Sequence, residues 1–294
     1  MRDATDKYAL IRNMASLYNI CELCQALEVS RSGYYAWLGR PPGPRARQNE
    51  LLRSKLEELF ECNRRVYGSP RLARSLKREG FAVSRNRVAR HMRALGLRAR
   101  QKKAFKPKTT DSRHPHPIAP NRLAGLKAKG PNEVWVSDIT YVATQQGWVY
   151  LAGVMDLWSR KIVGWAAADH LKSSLVKEAL KQAVASRAPS PGLLSHSDRG
   201  VQYASGEYRQ MLEKISSVPS MSAAGCCYDN AAMESFWSTL KTEWLQDQNF
   251  RTQQEAELAI FDYIETFYNP RRLHSALGYQ SPVDFELEFF NAKP

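Results

Sequence analysis

Within "ASLYNICELCQALEVS" the apolar residues Leu17, Ile20, Leu23, Cys24 and Leu27 recur at the spacing of an amphipathic helix. Ser30 then supplies an N-cap for a second helix, "RSGYYAWL". Helix, short turn and helix resemble a helix-turn-helix unit over residues 1–44, in which Arg31 and Tyr34 would face DNA. Any small helical bundle shares that pattern. The stretch "GRPPGPRARQ" marks a boundary, and a helix at about 49–61 follows it. Further on, Ser69 is placed to cap a helix with Pro70 at its first position and Gly80 at its end. Ser84 and Gly96 bracket the next helix, completing a second unit over residues 45–100. In that helix Val88, Met92 and Leu95 share one face, and Arg87, Arg90 and Arg93 share the opposite arc. A solvated charged face usually carries acids as well. This arc has none, which favours phosphate or groove contact.

Periodicity fades over residues 101–130, "QKKAFKPKTTDSRHPHPIAPNRLAGLKAKG", which read as an extended basic linker able to lie along DNA, Lys102 and Lys103 included. The character then changes. "EVWVSDITYV", "GWVYLAGVMD" and "RKIVGWAAAD" alternate as three consecutive strands with hairpin-like connections. A helix at about 173–187, a strand in "LLSHSDRGVQYAS", a helix near 205–214, a short strand near 216–221 and a helix over about 230–245 follow. Together they predict a mixed α/β domain over residues 131–246, with a mainly helical extension over 247–294.

Charge sharpens the division. Residues 1–130 carry 29 Lys/Arg against 10 Asp/Glu, and residues 131–294 carry 14 against 19, within a net charge of +14. A basic front half on a mildly acidic back half points to a polyanion, nucleic acid first, with a merely soluble basic surface as the plainer alternative. With 294 residues, 43% of them hydrophobic, the chain can bury a core. No apolar run is long enough to span a membrane and the first residues lack a signal-peptide core, so the expected location is cytoplasmic. Cys21 and Cys24 form a CxxC, but neither Cys62, the adjacent Cys226 and Cys227, nor His114 and His116 complete a zinc set. Buried structural thiols are expected instead.

Strand alternation puts Val134, Val136, Asp138, Thr140 and Val142 on one face, leaving Asp138 in an apolar row. A carboxylate there is costly unless hydrogen bonds or a cation compensate, so it is either a buried structural Asp or a ligand or catalytic acid. Asp198 precedes an Arg-Gly pair and reads alone as a turn residue; Glu234 suits the first turns of a helix for dipole reasons. As a set they read differently. If the strands carrying Asp138 and Asp198 are neighbours and the helix carrying Glu234 packs beside them, three acids converge and raise one another's pKa. Hard divalent ions relieve that repulsion, and two of them about 3.5–4 Å apart suit phosphodiester chemistry.

Asp138 and Asp198 have 59 residues between them, Asp198 and Glu234 have 35. This spacing, with "VSDITYV", "HSDRGVQYAS" and "YDNAAMESFWSTLKTE", resembles the DDE signature of retroviral-integrase-like transposases. More specifically, the chain resembles the catalytic, second-frame product of the IS-three family of bacterial insertion sequences. "LCQALEVSRSGYYAW", "YGSPRLARSLKREG" and "FYNPRRLHSALGYQSP" extend the likeness over nearly the whole chain. The resemblance implies an RNase H-like core, preceded by the two helix-turn-helix units and followed by the helical extension. It also implies magnesium or manganese, two ions, held by Asp138, Asp198 and Glu234.

By the same resemblance Lys241, two helical turns beyond Glu234, matches a basic position that contacts the DNA end, unless it is a solvated surface lysine. Asn230, four residues before Glu234, would bind substrate or orient the acid. His196 would touch phosphate or serve as a hydrogen-bonded structural histidine. One departure from the family pattern is "SMSAAGCCYDN", where Ala223 and Ala224 stand in place of expected basic residues.

The implied activity is DNA transposition: hydrolysis at an element end releases a 3′-hydroxyl, which then attacks another phosphodiester without a covalent protein–DNA intermediate. Implied partners are the terminal inverted repeats and target DNA, the first-frame protein or a frameshifted fusion, and further copies of the chain on DNA, in a bacterial, nucleoid-associated setting with no membrane. The chain has no sustained heptad run of its own, in keeping with multimerisation supplied by a partner. A non-catalytic DNA-binding regulator and an RNase H-like nuclease that cleaves without joining are the rival readings.

Overall fold

The computed structural model describes residues 3–41, 43–100, 117–222 and 230–292. Expected DNA contacts Lys102 and Lys103, the replaced positions Ala223 and Ala224, and Cys226, Cys227, His114 and His116 lie outside them. Two compact units are present, Met1–Glu57 and Glu58–Pro294.

The first unit holds α1 (Ala4–Met14), α2 (Ile20–Ala26) and α3 (Arg31–Leu38) around Ile11, Cys24 and Tyr34. Three helices stand where the sequence pattern predicts two. The apolar run starting at Leu17 breaks because the Asn19 side chain accepts from Cys21 N–H at 2.8 Å and starts α2 at Ile20. Leu17 is left in the preceding turn, 76% exposed. Ser30 caps α3 as expected, accepting from Gly33 N–H at 3.0 Å. The expectation of buried thiols holds for Cys24 but not for Cys21 or Cys62, which are exposed.

Helix α4 (Pro44–Cys62) runs from the first unit into the second. There α5 (Ser69–Arg78) begins after Gly68, so Ser69 sits inside the helix rather than capping it. Gly80, at φ +86°, ends it. Ser84 caps α6 (Arg85–Ala94) by accepting from Arg87 N–H at 3.2 Å, and Val88 and Met92 are buried on its inner face. Arg90 and Arg93 are exposed and Arg87 is half-buried.

Five strands form one mixed sheet in the order β3-β2-β1-β4-β5. β1 (Val134–Thr144), β2 (Gly147–Asp156) and β3 (Ile162–Ala168) make an antiparallel meander, while β4 (Leu194–Ser197) and β5 (Val218–Met221) add in parallel. One sheet face packs Trp135, Ala152, Val154 and Ala166 against α7 (Ser173–Arg187) and the pair α8 (Val201–Ala204) and α9 (Gly206–Lys214). α7 lies so close that a Cβ at Gly164 would collide with the Ala179 carbonyl oxygen, backbone that cannot yield.

The opposite face receives α10 (Ala231–Leu240), which continues as a π-helical turn over Lys241–Leu245. α11 (Gln253–Phe261), a second π-helical segment (Asp262–Tyr268) and α12 (Pro282–Asn291) complete the extension. Asn269 fastens it to the start of β3: its side chain accepts from Ile162 N–H and donates to Ile162 O, each at 3.0 Å. No helix among the described residues is long and apolar enough to cross a membrane.

Candidate active site

Parallel pairing of β1 with β4 decides where the first two acids stand. The register runs Val134 with Leu194, Val136 with His196 and Ser137 with Ser197. Asp138 is the next residue on β1 and Asp198 is the first residue beyond β4, so both follow the last paired position, Ser137 with Ser197, of two neighbouring strands. Asp198 is indeed at a turn: its Oδ1 accepts from Gly200 N–H at 2.9 Å, which fixes the carboxylate as the chain leaves β4.

α10 brings the third acid. Its start is tied to β1 by Asn230, whose Nδ2 donates to the Ser137 carbonyl at 3.1 Å, next to Asp138. One turn after Glu234, the Trp237 indole N–H donates to Asp138 Oδ2 at 3.0 Å. The helix can lie this low because Gly153, paired with Asp138 across β2, has no side chain; a Cβ there would meet the Trp237 ring at 2.8 Å.

The acids interact electrically. Burial pushes the Asp138 carboxyl up to about 8, and the Asp198 charge pushes in the same direction. N–H groups of Ile139 and Trp237 oppose the rise, and Glu234 adds to it. The Asp198 and Glu234 charges thus both reach the Asp138 carboxyl, an electrostatic group in which Asp198 is half-buried and Glu234 exposed. Among the described residues no three His, Cys, Asp or Glu side chains are close enough together to hold a single ion. The group is one of charge and is not such a cluster.

Lys241 joins it. Its ammonium lies 4.8 Å from the centre of the Tyr141 ring, and burial lowers its pKa while the Asp138 charge opposes that. It is half-buried, not a solvated surface lysine. Two other expected DNA contacts are corrected. His196 is 1% exposed, with Nδ1 2.9 Å from Ser220 Oγ and Nε2 3.1 Å from Ser222 Oγ, so both ring nitrogens bond within the fold. Tyr34 is 2% exposed in the core of the first unit, packed with Ile11 and Cys24, and has no face for DNA. Arg31 is exposed, and Asn230 is buried with its Oδ1 lacking a partner among the described residues.

Trp237, Gly153 and Tyr203 escaped the sequence reading. Tyr203 is buried within reach of the Asp138 and Asp198 charges, its pKa raised first by burial, and its hydroxyl has no partner among the described residues. For Trp237 a signal was available: it lies three residues after Glu234, hence on the same side of the helix.

Family models match three parts of the chain. An integrase core domain model matches residues 128–227, a second integrase core domain model matches 217–282, and an HTH-like domain model matches 46–105. A transposase for insertion sequence IS3A of Escherichia coli K12 is 38% identical over 283 residues, covering 95% of this chain and 98% of that protein. The chain belongs to the IS3 transposase family. An uncharacterised 31 kDa protein of insertion element IS600 from Shigella sonnei shares 44% identity with this transposase over 91% of the chain and 98% of the relative. A solved HTLV-2 integrase catalytic core domain in complex with magnesium shares 15% identity at a TM-score of 0.41, covering 54% of this chain and 99% of that one. The IS3-type transposase is thus an enzyme that cleaves and transfers DNA strands, with a helix-turn-helix-like domain ahead of its integrase core.

Proposed function

We propose that Asp138, Asp198 and Glu234 are the acids at which this transposase cuts element ends and joins the freed 3′-hydroxyl to a second phosphodiester. The observation that carries this reading is the placement of Asp138 beside Asp198 by the β1–β4 register, with both other acids acting on the Asp138 carboxyl. The donor set fits magnesium or manganese: it is all carboxylate oxygen, partly open to solvent, and strained by like charge that a divalent ion relieves. When bound, such ions supply Lewis acidity at the scissile phosphate and lower the pKa of an attacking water.

The chain's own residues set the geometry. Trp237 holds the Asp138 carboxylate, Gly200 N–H holds that of Asp198, and α10 presents Glu234 toward solvent, where DNA enters. Lys241 gives a cation beside the acids to meet an end phosphate. Arg90 and Arg93 on α6, with Arg87, grip the duplex backbone. In the first step water adds to the scissile phosphorus and the 3′-oxygen leaves, taking a proton to become the 3′-hydroxyl. In the second, that hydroxyl attacks a new phosphorus and loses its proton, while the oxygen of the old ester leaves and takes up a proton to become a new hydroxyl. No side chain becomes covalently attached to DNA.

Terminal inverted repeats and target DNA are the substrates of this reading, further copies of the chain assemble on them, and the first-frame product or a frameshifted fusion is the protein partner. The test is an assay in magnesium on duplexes carrying the element's own ends, scoring cleavage and joining separately. Asp198→Asn is expected to lose both while still binding the duplex. Normal joining by that variant would overturn the assignment, and cleavage without joining by the parent chain would identify a nuclease instead.

A further inference from the structure

The helix-turn-helix-like module and the acids are separated in sequence by the residues between α6 and β1. The described residues show a lock. Tyr67, just before α5, accepts from Leu273 N–H at 2.8 Å and donates to Arg271 O at 3.2 Å. On α5, Arg71 donates through Nε to Leu273 O at 2.9 Å and places Nη1 3.6 Å from Glu243 Oε1. Arg64 pairs with Asp262 at 2.9 Å and stacks 4.2 Å from the centre of the Trp244 ring. Beyond α6, Arg100 donates to the Glu243 carbonyl at 2.7 Å.

Arg71 and Arg100 meet Glu243 and Arg64 meets Trp244 on one π-helical turn, while Tyr67 and Arg71 also bond residues 271–273 and Arg64 bonds Asp262. Glu243 stands nine residues beyond Glu234, in the π-helical continuation of α10. Its carboxylate is buried and accepts from Arg272 Nε at 2.7 Å, from Arg272 Nη2 at 2.6 Å and from the Tyr263 hydroxyl at 2.7 Å. Burying an ion pair is a poor route to stability, since well-packed apolar residues do as well or better; what a directional, fully bonded pair provides is one geometry.

We propose that the Arg71–Glu243–Arg272 cluster fixes the distance between the DNA-gripping face of α6 and the acid group, so that the enzyme cuts a set number of phosphodiesters from the base pairs α6 holds. This rests on the reading of the acids and of α6 given above. Arg71, Tyr67 and Glu243 are positioning residues: they touch no DNA and act through α5 and α10. The C-terminal segment around residues 262–284 is then the bracket on which the reader is mounted.

The test uses the full chain, magnesium and an end-labelled duplex of the element's own terminus, with cuts read at single-nucleotide resolution. Arg71→Ala with Tyr67→Phe loosens the lock while leaving the Glu243–Arg272 pair intact; faster amide exchange at Leu273 reports that it has opened. The parent is expected to cut at one phosphodiester. The double variant is expected to bind the duplex equally, to spread its cuts over neighbouring positions with a fall at the native one on the order of a hundredfold, and to nick plasmid lacking the terminus as well as the parent does. Arg71→Lys should restore part of the precision. A variant with the lock open that still cuts only at the native position would overturn the proposal, as would a parallel loss of end cutting and plasmid nicking. Failure of the parent to cut the bound duplex would instead overturn the reading of the acids.

Discussion

The indole N–H of Trp237 donates to Oδ2 of Asp138 at 3.0 Å, joining the helix of one acid to the strand of another. This bond opposes the rise that burial imposes on the Asp138 carboxyl. Trp237→Phe keeps most of the packing volume and removes the donor, so Asp138 holds its proton more tightly. The acidic limb of the pH–rate profile for end cleavage is expected to move upward. The magnesium needed for half-maximal cleavage should rise by at least about tenfold, since a hydrogen bond to a charged acceptor contributes roughly 1.5–3 kcal/mol. A variant with an unshifted limb and unchanged magnesium requirement would reduce Trp237 to packing.

Asp138 also links stability to metal. Folding moves its carboxyl from 3.8 up to about 8. Between those values the folded chain keeps a proton that the unfolded chain has released. The contribution of Asp138 to the stability of the metal-free protein is therefore full below about pH 4 and declines as pH rises toward 8. Divalent charge replaces the proton, so magnesium should raise the melting temperature more at pH 8 than at pH 5. Scanning calorimetry with EDTA or magnesium at the two pH values checks this. Asp138→Asn should abolish the difference, and equal shifts at both pH values would count against a metal at this acid.

Gly153→Ala tests the close approach of α10. The added methyl meets the Trp237 ring at 2.8 Å and the Met233 methyl at 3.0 Å, both on the helix that carries Glu234. Overpacking of this kind costs typically 1–3 kcal/mol. Because the helix must lift, strand cleavage should fall further than the folded fraction does. Denaturant titration beside the cleavage assay separates the two effects; a loss of activity explained wholly by unfolding would leave Gly153 a packing residue.

His274 predicts acid sensitivity away from the acids. Burial, then the charges of Arg272, Arg71 and Arg160, lower its pKa to about 2 from 6.5. The unfolded chain takes up this proton near pH 6.5 and the folded chain does not. The contribution of neutral His274 is thus complete above pH 6.5 and is lost as pH falls from there toward 2. Replacement by Gln should flatten the stability profile between pH 6.5 and 4.5, read as urea midpoints. An unchanged slope would place the acid sensitivity elsewhere.

Local patterns carried the catalytic half further than the rest. An acid in the apolar row of β1 is visible from alternation alone, and Asp198 and Glu234 gain meaning from their distances to it. Alternation assigns a face, however, and not access to solvent. β4 lies between β1 and β5 and every residue of it is buried, so His196 shares the parity of Asp198 yet bonds to Ser220 and Ser222 inside the fold. Tyr34 shows the same limit on a helix: in "RSGYYAWL" one tyrosine is core and the next is exposed, and only packing against Ile11 and Cys24 says which. The contacts of Tyr67 and Arg71 with residues 271–273 span about two hundred positions, and no local rule pairs residues so far apart.

Those long-range contacts bear on how such a chain can diverge. Exchanging residues 58–100 between two relatives would carry over Arg64, Tyr67 and Arg71 but leave behind the Asp262, Glu243 and Leu273 they engage. A contiguous graft yields a mismatched seat. A new module at residues 58–100 is therefore expected to need matching residues at positions 243, 262 and 273, at the far end of the gene.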